Sequence, residues 1–327
     1  MPKKRIVSGM RPTGKIHLGH LHGALLNWKK LQEEYECFYF IADWHALTSD
    51  YARPEIIRET TYEIIIDWIS MGLDPEVSTF FIQSHIKEHA ELHLIFSMIT
   101  PLPWLERNPT YKEQLRELTH KDVYTYGFLG YPVLQAADIL IYKANGVPVG
   151  EDQAPHVELT RETARRFNHL YGETFPVPNV LLTPTSKLLG IDRRKMSKSY
   201  NNAIFLTDTD TEISEKVGQM ITDPQRARRN DPGDPGICNV FSFHEIYTNN
   251  EIVESIKREC RSADIGCVEC KKIMATSLKK GLEPIKARRR ELESDIDKVK
   301  EIVSEGNKRA RAIAQRTMTE VREAVKI

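Results

Sequence analysis

The chain has 327 residues, with 46 Lys+Arg against 46 Asp+Glu and a formal net charge of zero, so bulk charge does not hold it to nucleic acid and an RNA partner needs local basic patches. No apolar run reaches the roughly 18 residues of a membrane helix, and the basic start MPKKRIVSGM lacks the apolar stretch of a secretory signal. A cytoplasmic protein with no membrane partner is expected, large enough for two domains, and its odd count of five cysteines argues against a disulfide framework.

In chain order, Arg5–Met10 (RIVSGM) reads as a short strand. Gly19–Glu34 reads as a helix with Leu21, Leu25, Trp28 and Leu31 on one face. Cys37–Ala42 (CFYFIA) is a continuous apolar run suited to a buried parallel strand, and Cys37 within it reads as a core residue. Pro54–Met71 carries Ile57, Ile64, Ile65, Trp68 and Ile69 at helical spacing after a first-turn proline. Thr79–Ile82 and Val147–Val149 complete the strands, with an apolar helix, Val133–Tyr142, between them. Strands alternating with helices predict a parallel sheet covered on both faces, with ligands beyond the carboxyl ends of its strands. After Leu206 strand signals fade and charged helical patterns dominate, ending in an amphipathic stretch with Ala310, Ile313, Ala314, Met318, Val321 and Val325 on one stripe. The expected division is therefore 1–206 and 207–327, α/β then α-helical.

Two stretches carry chemistry. Pro12-Thr13-Gly14 turns the chain after the first strand, and His17-Leu18-Gly19-His20 follows at a helix start. Open backbone N–H groups there favour an anion, the two histidines meet at i and i+3, and Gly19 leaves room for something flat. A nucleoside triphosphate fits; a histidine-rich helix cap is the structural alternative. Lys195-Met196-Ser197-Lys198-Ser199 puts two lysines three apart on a polar loop, a mobile cationic pair suited to a leaving polyphosphate or, equally, an ordinary solvated surface.

Together, in this order, HLGH and KMSKS resemble the class I aminoacyl-tRNA synthetases; KMSKS matches at every position and HLGH has Leu where many members have Ile. The stretch GYPVLQAADILIYKANGVPVGEDQ (130–153), with ADWHALT (42–48), resembles the tryptophanyl branch, over nearly the whole chain. The resemblance implies a Rossmann-type doubly wound catalytic domain, an α-helical anticodon-binding domain and a homodimer. It implies ATP with Mg²⁺, tryptophan and tRNA(Trp) as ligands, tryptophanyl-adenylate as intermediate, and AMP and pyrophosphate as products. It places His17, His20, Lys195 and Lys198 in catalysis, and Gly19, His20, Gly150, Asp152, Lys195, Met196, Ser197 and Lys198 around ATP, with Arg11, by its own charge, a further candidate ATP contact. Val7, Tyr131, Gln135, Asp138, Val147, Val149 and Gln153 would hold tryptophan. Within that set Tyr131 and Gln153 would take the ammonium and carboxylate, and Asp138 the indole N–H. The residue types agree: an indole N–H is donor only, and a carboxylate buried in an apolar helix is costly without partners. Tyr131 and the valines could equally be core, and Asp138 could cap a neighbouring loop. Arg11 departs from the Gln of many bacterial members and would add a fixed positive charge near the reacting groups. A tyrosyl-type synthetase, or a non-catalytic metal-bearing RNA-binding relative, is the alternative reading.

Cys238, Cys260, Cys267 and Cys270 form C-x21-C-x6-C-x2-C in the second half. Four thiolates suit tetrahedral zinc or an iron–sulfur cluster. Some bacterial tryptophanyl synthetases resemble this pattern and carry a four-iron cluster, which makes the cluster (4Fe-4S) the expected cofactor and zinc the alternative. The basic runs Arg226–Arg229, Lys271-Lys272 and Lys286–Arg290 are candidate contacts to tRNA phosphates or plain solvated helix faces.

Overall fold

The computed structural model describes residues 3–117, 122–183 and 188–327, the side chains of Gln114, Asp152 and Ser199 excepted. The chain forms two compact units, each discontinuous in sequence: Met1–Gly14, Asn27–Pro184 and Asp295–Ile327 make one, and Lys15–Leu26 with Thr185–Ser294 make the other.

The first unit is built on five parallel strands, β1 (Arg5–Met10), β2 (Glu36–Ile41), β3 (Ser78–Ile82), β4 (Gly146–Val149) and β5 (Asn179–Leu182), in the order β3-β2-β1-β4-β5. β1 and β2 pair in full, from Arg5↔Glu36 to Met10↔Ile41, and β2 pairs with β3 from Cys37↔Ser78 to Ile41↔Ile82. The chain winds outward from β1 through β3 and then crosses to β4 and β5, so the strand order reverses between β1 and β4. This is the doubly wound arrangement expected. The strands β1 to β4 lie where the apolar runs place them. β5 carries no such signal: NVLL is a four-residue edge strand between prolines, and only half covered.

The core explains the continuous apolar strands. Phe38 and Phe40 of β2 and Phe81 of β3 pack with Ile139, Leu140 and Tyr142, all essentially buried. Each such side chain contributes on the order of 2 kcal/mol. Cys37 is buried, and burial pushes its thiol up to about 11, so it is an inert core residue as expected. The amphipathic C-terminal stretch forms the Ile296–Val325 helix. Its Ala310, Ala314, Met318 and Val321 join this same core, so the helix belongs to the sheet-bearing unit and not to the helical one. A line drawn at residue 206 separates texture in the sequence; the compact units follow packing instead.

The Pro12–Gly14 turn closes the first segment. Thr13 N donates to Arg11 O at 2.9 Å and Gly14 has φ 126°, a conformation that favours glycine. Thr60 Oγ1, from the Glu55–Ser70 helix, donates to Pro12 O at 2.7 Å and ties the turn down.

The second unit is helical, with Asp210–Gln219, Asn239–Tyr247, Asn250–Arg261 and Cys267–Ser294 as its main elements. Phe241, Val253, Ile256 and Ile265 form its small core. Among the described residues no helix is long and apolar enough to cross a membrane.

Candidate active site

The helix Tyr126–Leu140 of the first unit carries Tyr131, Gln135 and Asp138 at spacings of four and three, hence on one side. Thr125 caps it by accepting from Phe128 N. Asp138 is fully buried. Its Oδ1 accepts from Gln83 Nε2 at 2.7 Å and His89 Nδ1 at 2.6 Å. Its Oδ2 accepts from Gln83 Nε2 at 2.9 Å and His45 Nε2 at 2.8 Å. Burial by itself would raise the Asp138 carboxyl, but the hydrogen bonds from His45 and His89 outweigh it and hold it down at about 2. Behind His89, the Tyr142 hydroxyl meets Nε2 at 2.7 Å; burial pushes that phenol far up, so it stays protonated and donates. The Gln83 carbonyl accepts from Trp44 N at 3.1 Å and His45 N at 3.3 Å, which fixes the amide's orientation.

Tyr131 is buried, and burial raises its phenol. Thr110 N donates to Asn108 Oδ1, so the Asn108 amide nitrogen faces His156 Nδ1 at 3.3 Å and His156 Nε2–H donates to Tyr131 Oη at 2.9 Å. His45, Gln83, His89, Asn108 and His156 were not picked out by sequence reading. Each is a lone polar residue beside an apolar run, and only tertiary contact joins them.

Val7 and Val147 are buried in the unit's core on strands that flank the switch point, with Val149 half-buried against them. Gln135 and Gln153 are half-buried, and Gly150 precedes the short turn Glu151–Gln153. The Asp152 side chain lies outside those described. Arg11 does not stand as an isolated charge: its Nη2 donates to Ser49 Oγ and pairs with Asp50 Oδ2 at 3.2 Å. Burial lowers its pKa while Asp50 raises it, and its Nε is buried with no partner.

The two motifs meet in the second unit. Past the loop, Ile204–Leu206 runs beside Ile16–Leu18: Leu18 N donates to Ile204 O at 2.9 Å and Leu206 N to Ile16 O at 3.0 Å. This pairing carries KMSKS next to HLGH. The His17 and His20 rings stack with centroids 3.7 Å apart. Each Nδ1 accepts from the other residue's backbone N–H at 3.3 Å. His17 thereby caps an N–H that was expected to stand open to an anion. Both rings carry their proton on Nε2. Burial, then the neighbouring charge of Lys198, holds His17 at about 4. Burial, His17, Lys198 and Lys195 hold His20 well below its ordinary value. At neutral pH both are uncharged donors. A Cβ on Gly19 would lie 2.9 Å from the His17 ring and 3.2 Å from Met196 Cβ, so a larger residue would part motif from motif.

The loop itself is folded around Asn202, which sequence reading also passed over. Asn202 Oδ1 accepts from Ser197 N at 2.8 Å, and Nδ2 donates to Asp192 Oδ1 at 2.8 Å and Lys195 O at 3.1 Å. Met196 is buried, Lys195 exposed and Lys198 half-buried.

A model of the family "tRNA synthetases class I (W and Y)" matches residues 2–283. The chain belongs to this family. It is similar to the tryptophan–tRNA ligase of Thermotoga maritima, 53% identical over 325 residues and covering 99% of both chains. That of Aquifex aeolicus is 49% identical over 393 residues, covering 99% of this chain and 100% of the relative. In structure it is similar to the tryptophanyl-tRNA synthetase of Campylobacter jejuni complexed with ADP and tryptophan, with a TM-score of 0.91 at 30% identity, over 99% of this chain and 100% of that one.

Three of the four late cysteines of this synthetase, Cys238, Cys260 and Cys270, pack against the small core of its helical unit. Cys238 precedes one helix, Cys260 lies in another, and Cys267 and Cys270 open the Cys267–Ser294 helix. Burial, then the other three thiols, pushes Cys270 up to about 12. Arg226 Nη1 approaches Cys260 Sγ at 3.8 Å. Among the described residues no three His, Cys, Asp or Glu side chains are set to hold a metal ion. The geometry therefore bears out neither the expected iron–sulfur cluster nor zinc at Cys238, Cys260, Cys267 and Cys270.

Beside them is a pocket of about 790 Å³ lined by Arg226, Arg228, Arg229, Cys267, Glu269 and Lys272. Part of the basic sequence is structural: Arg226 donates to Ile265 O at 2.8 Å and Arg229 to Asp264 O at 2.6 Å. Arg289 is buried and pairs with Glu293, and Lys286 pairs with Asp210.

Proposed function

We propose that this synthetase is a tryptophan–tRNA ligase. The observation that carries the reading is the meeting of two neutral, stacked imidazoles with the Lys195–Lys198 loop in one unit, in a chain about half identical to tryptophan–tRNA ligases. The tryptophan carboxylate attacks the α-phosphorus of ATP; a carboxyl–phosphate bond forms and the bond to pyrophosphate breaks. Mg²⁺ enters with the nucleotide. The Nε2–H groups of His17 and His20 donate to the phosphates without a proton changing hands, and Lys195 and Lys198 offset the charge growing on pyrophosphate. A ribose hydroxyl of the terminal tRNA adenosine then attacks the carbonyl and AMP leaves. Arg11, Gly19, Gly150, Asp152, Met196 and Ser197 are the proposed further contacts to the nucleotide.

Asp138 is the proposed indole acceptor, with Val7, Gln135, Val147 and Val149 as the wall and Tyr131 and Gln153 for the ammonium and carboxylate. The four contacts to Asp138 leave an arriving N–H one route: Gln83, bonded to both oxygens, gives up one of them. Amino-acid-dependent exchange of pyrophosphate into ATP tests the assignment. Tryptophan supports exchange and tyrosine does not; the reverse result overturns it in favour of the tyrosyl alternative.

A four-iron cluster is the proposed occupant of the cysteine group. Its support is the four thiols, near enough to act on one another electrostatically, and the cationic Arg226 at Cys260. Anaerobically purified protein then absorbs near about 400 nm. Colourless protein with stoichiometric zinc overturns this. The adjoining basic pocket is proposed to face tRNA(Trp) phosphates, and the enzyme to work in the cytoplasm as a homodimer.

A further inference from the structure

β3 is an edge strand, and the outward polar groups of its backbone need partners from beyond the sheet. The Ile296–Val325 helix lies directly on that edge. A Cβ on Gly306 would fall 1.7 Å from Phe80 O, so the helix backbone rests on the strand backbone. At the next residue, buried Asn307 accepts from Ile82 N through Oδ1 at 3.0 Å and donates through Nδ2 to His85 Nδ1 at 2.9 Å. The Ile82 N–H dictates this amide orientation. One turn on, Arg311 Nη2 donates to His85 O.

Ile82 and His85 bracket Gln83 in the short turn Gln83–His85. Gln83, itself fully buried, joins both oxygens of Asp138 to the backbone N–H groups of Trp44 and His45. Gln83 is thus one of the three side chains that fix where the Asp138 oxygens stand.

We propose that Asn307 is a positioning residue for amino-acid recognition: from the C-terminal helix it holds the turn that presents Gln83 to Asp138. This rests on the reading of Asp138 as the acceptor of the indole N–H. Asn307 touches neither substrate. It sets the place of a group two contacts away, while the histidine–lysine centre is built from other segments.

Pyrophosphate exchange is measured with tryptophan and with the analogue that has sulfur in place of the indole N–H. Asn307→Leu strands the buried Ile82 N–H, and its tryptophan KM rises roughly tenfold with kcat and the ATP KM within about twofold. The preference for tryptophan over the sulfur analogue falls by a similar factor. Asn307→Asp keeps the acceptor for Ile82 N–H and recovers part of both losses. Arg311→Ala, which removes only the tether on His85 O, moves tryptophan KM in the same direction by less. If Asn307→Leu does not fold, Asn307→Asp and Arg311→Ala carry the test. Equal losses on tryptophan and ATP, or an unchanged preference over the sulfur analogue in every folded variant, overturn the proposal. Absence of tryptophan-dependent exchange in the unaltered enzyme overturns the substrate assignment itself and is told apart by that control.

Discussion

The surroundings of Asp138 and those of His17 and His20 solve opposite problems with the same kinds of side chain. At Asp138 every donor is committed: two imidazoles and an amide are locked on one buried carboxylate, backed by Tyr142 and by backbone N–H groups. At His17 and His20 each ring bonds the other residue's backbone through Nδ1, carries its proton on Nε2, and lies near lysines on a loop. A pocket that chooses one side chain needs an acceptor whose position is over-determined. A centre that stabilises charge appearing during a reaction needs donors and cations placed where that charge grows. Rigidity in one unit and a mobile cationic loop beside neutral imidazoles in the other are what the two arrangements provide.

Removing the anchor of the rigid region separates the two most strongly. Asp138→Ala leaves buried Gln83, His45 and His89 donors without their acceptor and lowers unfolding stability by about 3–5 kcal/mol in a denaturant titration. A loss under 1 kcal/mol would mean that the network is not structural. In the other region the effect moves from stability to rate. Lys195→Ala, at an exposed position, slows adenylate formation by roughly 10²–10³-fold while tryptophan binding and the melting temperature stay near their starting values. Equal losses in binding and rate would erase the contrast.

Gly306→Ala tests how far the C-terminal helix belongs to the rigid side. The methyl group has no space against Phe80 O, and the cost is about 1–3 kcal/mol of stability, with tryptophan KM rising before ATP KM. The smallest effect concerns pH. The folded-state value of His17, about 4, lies below its unfolded value, so as pH falls the unfolded chain takes up the proton first. The stability lost this way begins near pH 6.5, ends near 4, and at pH 6 amounts to under about 1 kcal/mol. Imidazole NMR resonances of His17 titrating near 6.5 instead of about 4 would show that the folded centre does not depress its pKa and would remove this pH effect.

Much of this was readable along the chain. The buried strands announce themselves as CFYFI and TFFI, because a parallel strand covered on both faces has no polar alternation to hide it. HLGH and KMSKS are local in sequence, and their chemistry needs few residues. β5 escaped notice because four residues at a proline-flanked edge leave no periodic signal. Gln83, His89, His156 and Asn307 escaped for another reason: each sits in an unremarkable stretch and acquires a role only through a partner tens to hundreds of residues away. The stripe on the C-terminal helix was visible, but a stripe states that a partner exists and not which one.

Local order, then, is what the amino-acid sequence by itself determined: where strands and helices form, and which motifs could meet a nucleotide. Tertiary structure alone decided that the last helix closes the edge of β3, that Asp138 arrives with all its lone pairs occupied, and that the two histidines are neutral. The physical reason is that periodicity and turn chemistry act over neighbouring residues, whereas burial, register against a distant strand and the pKa of an enclosed group are set by whatever the folded chain brings alongside.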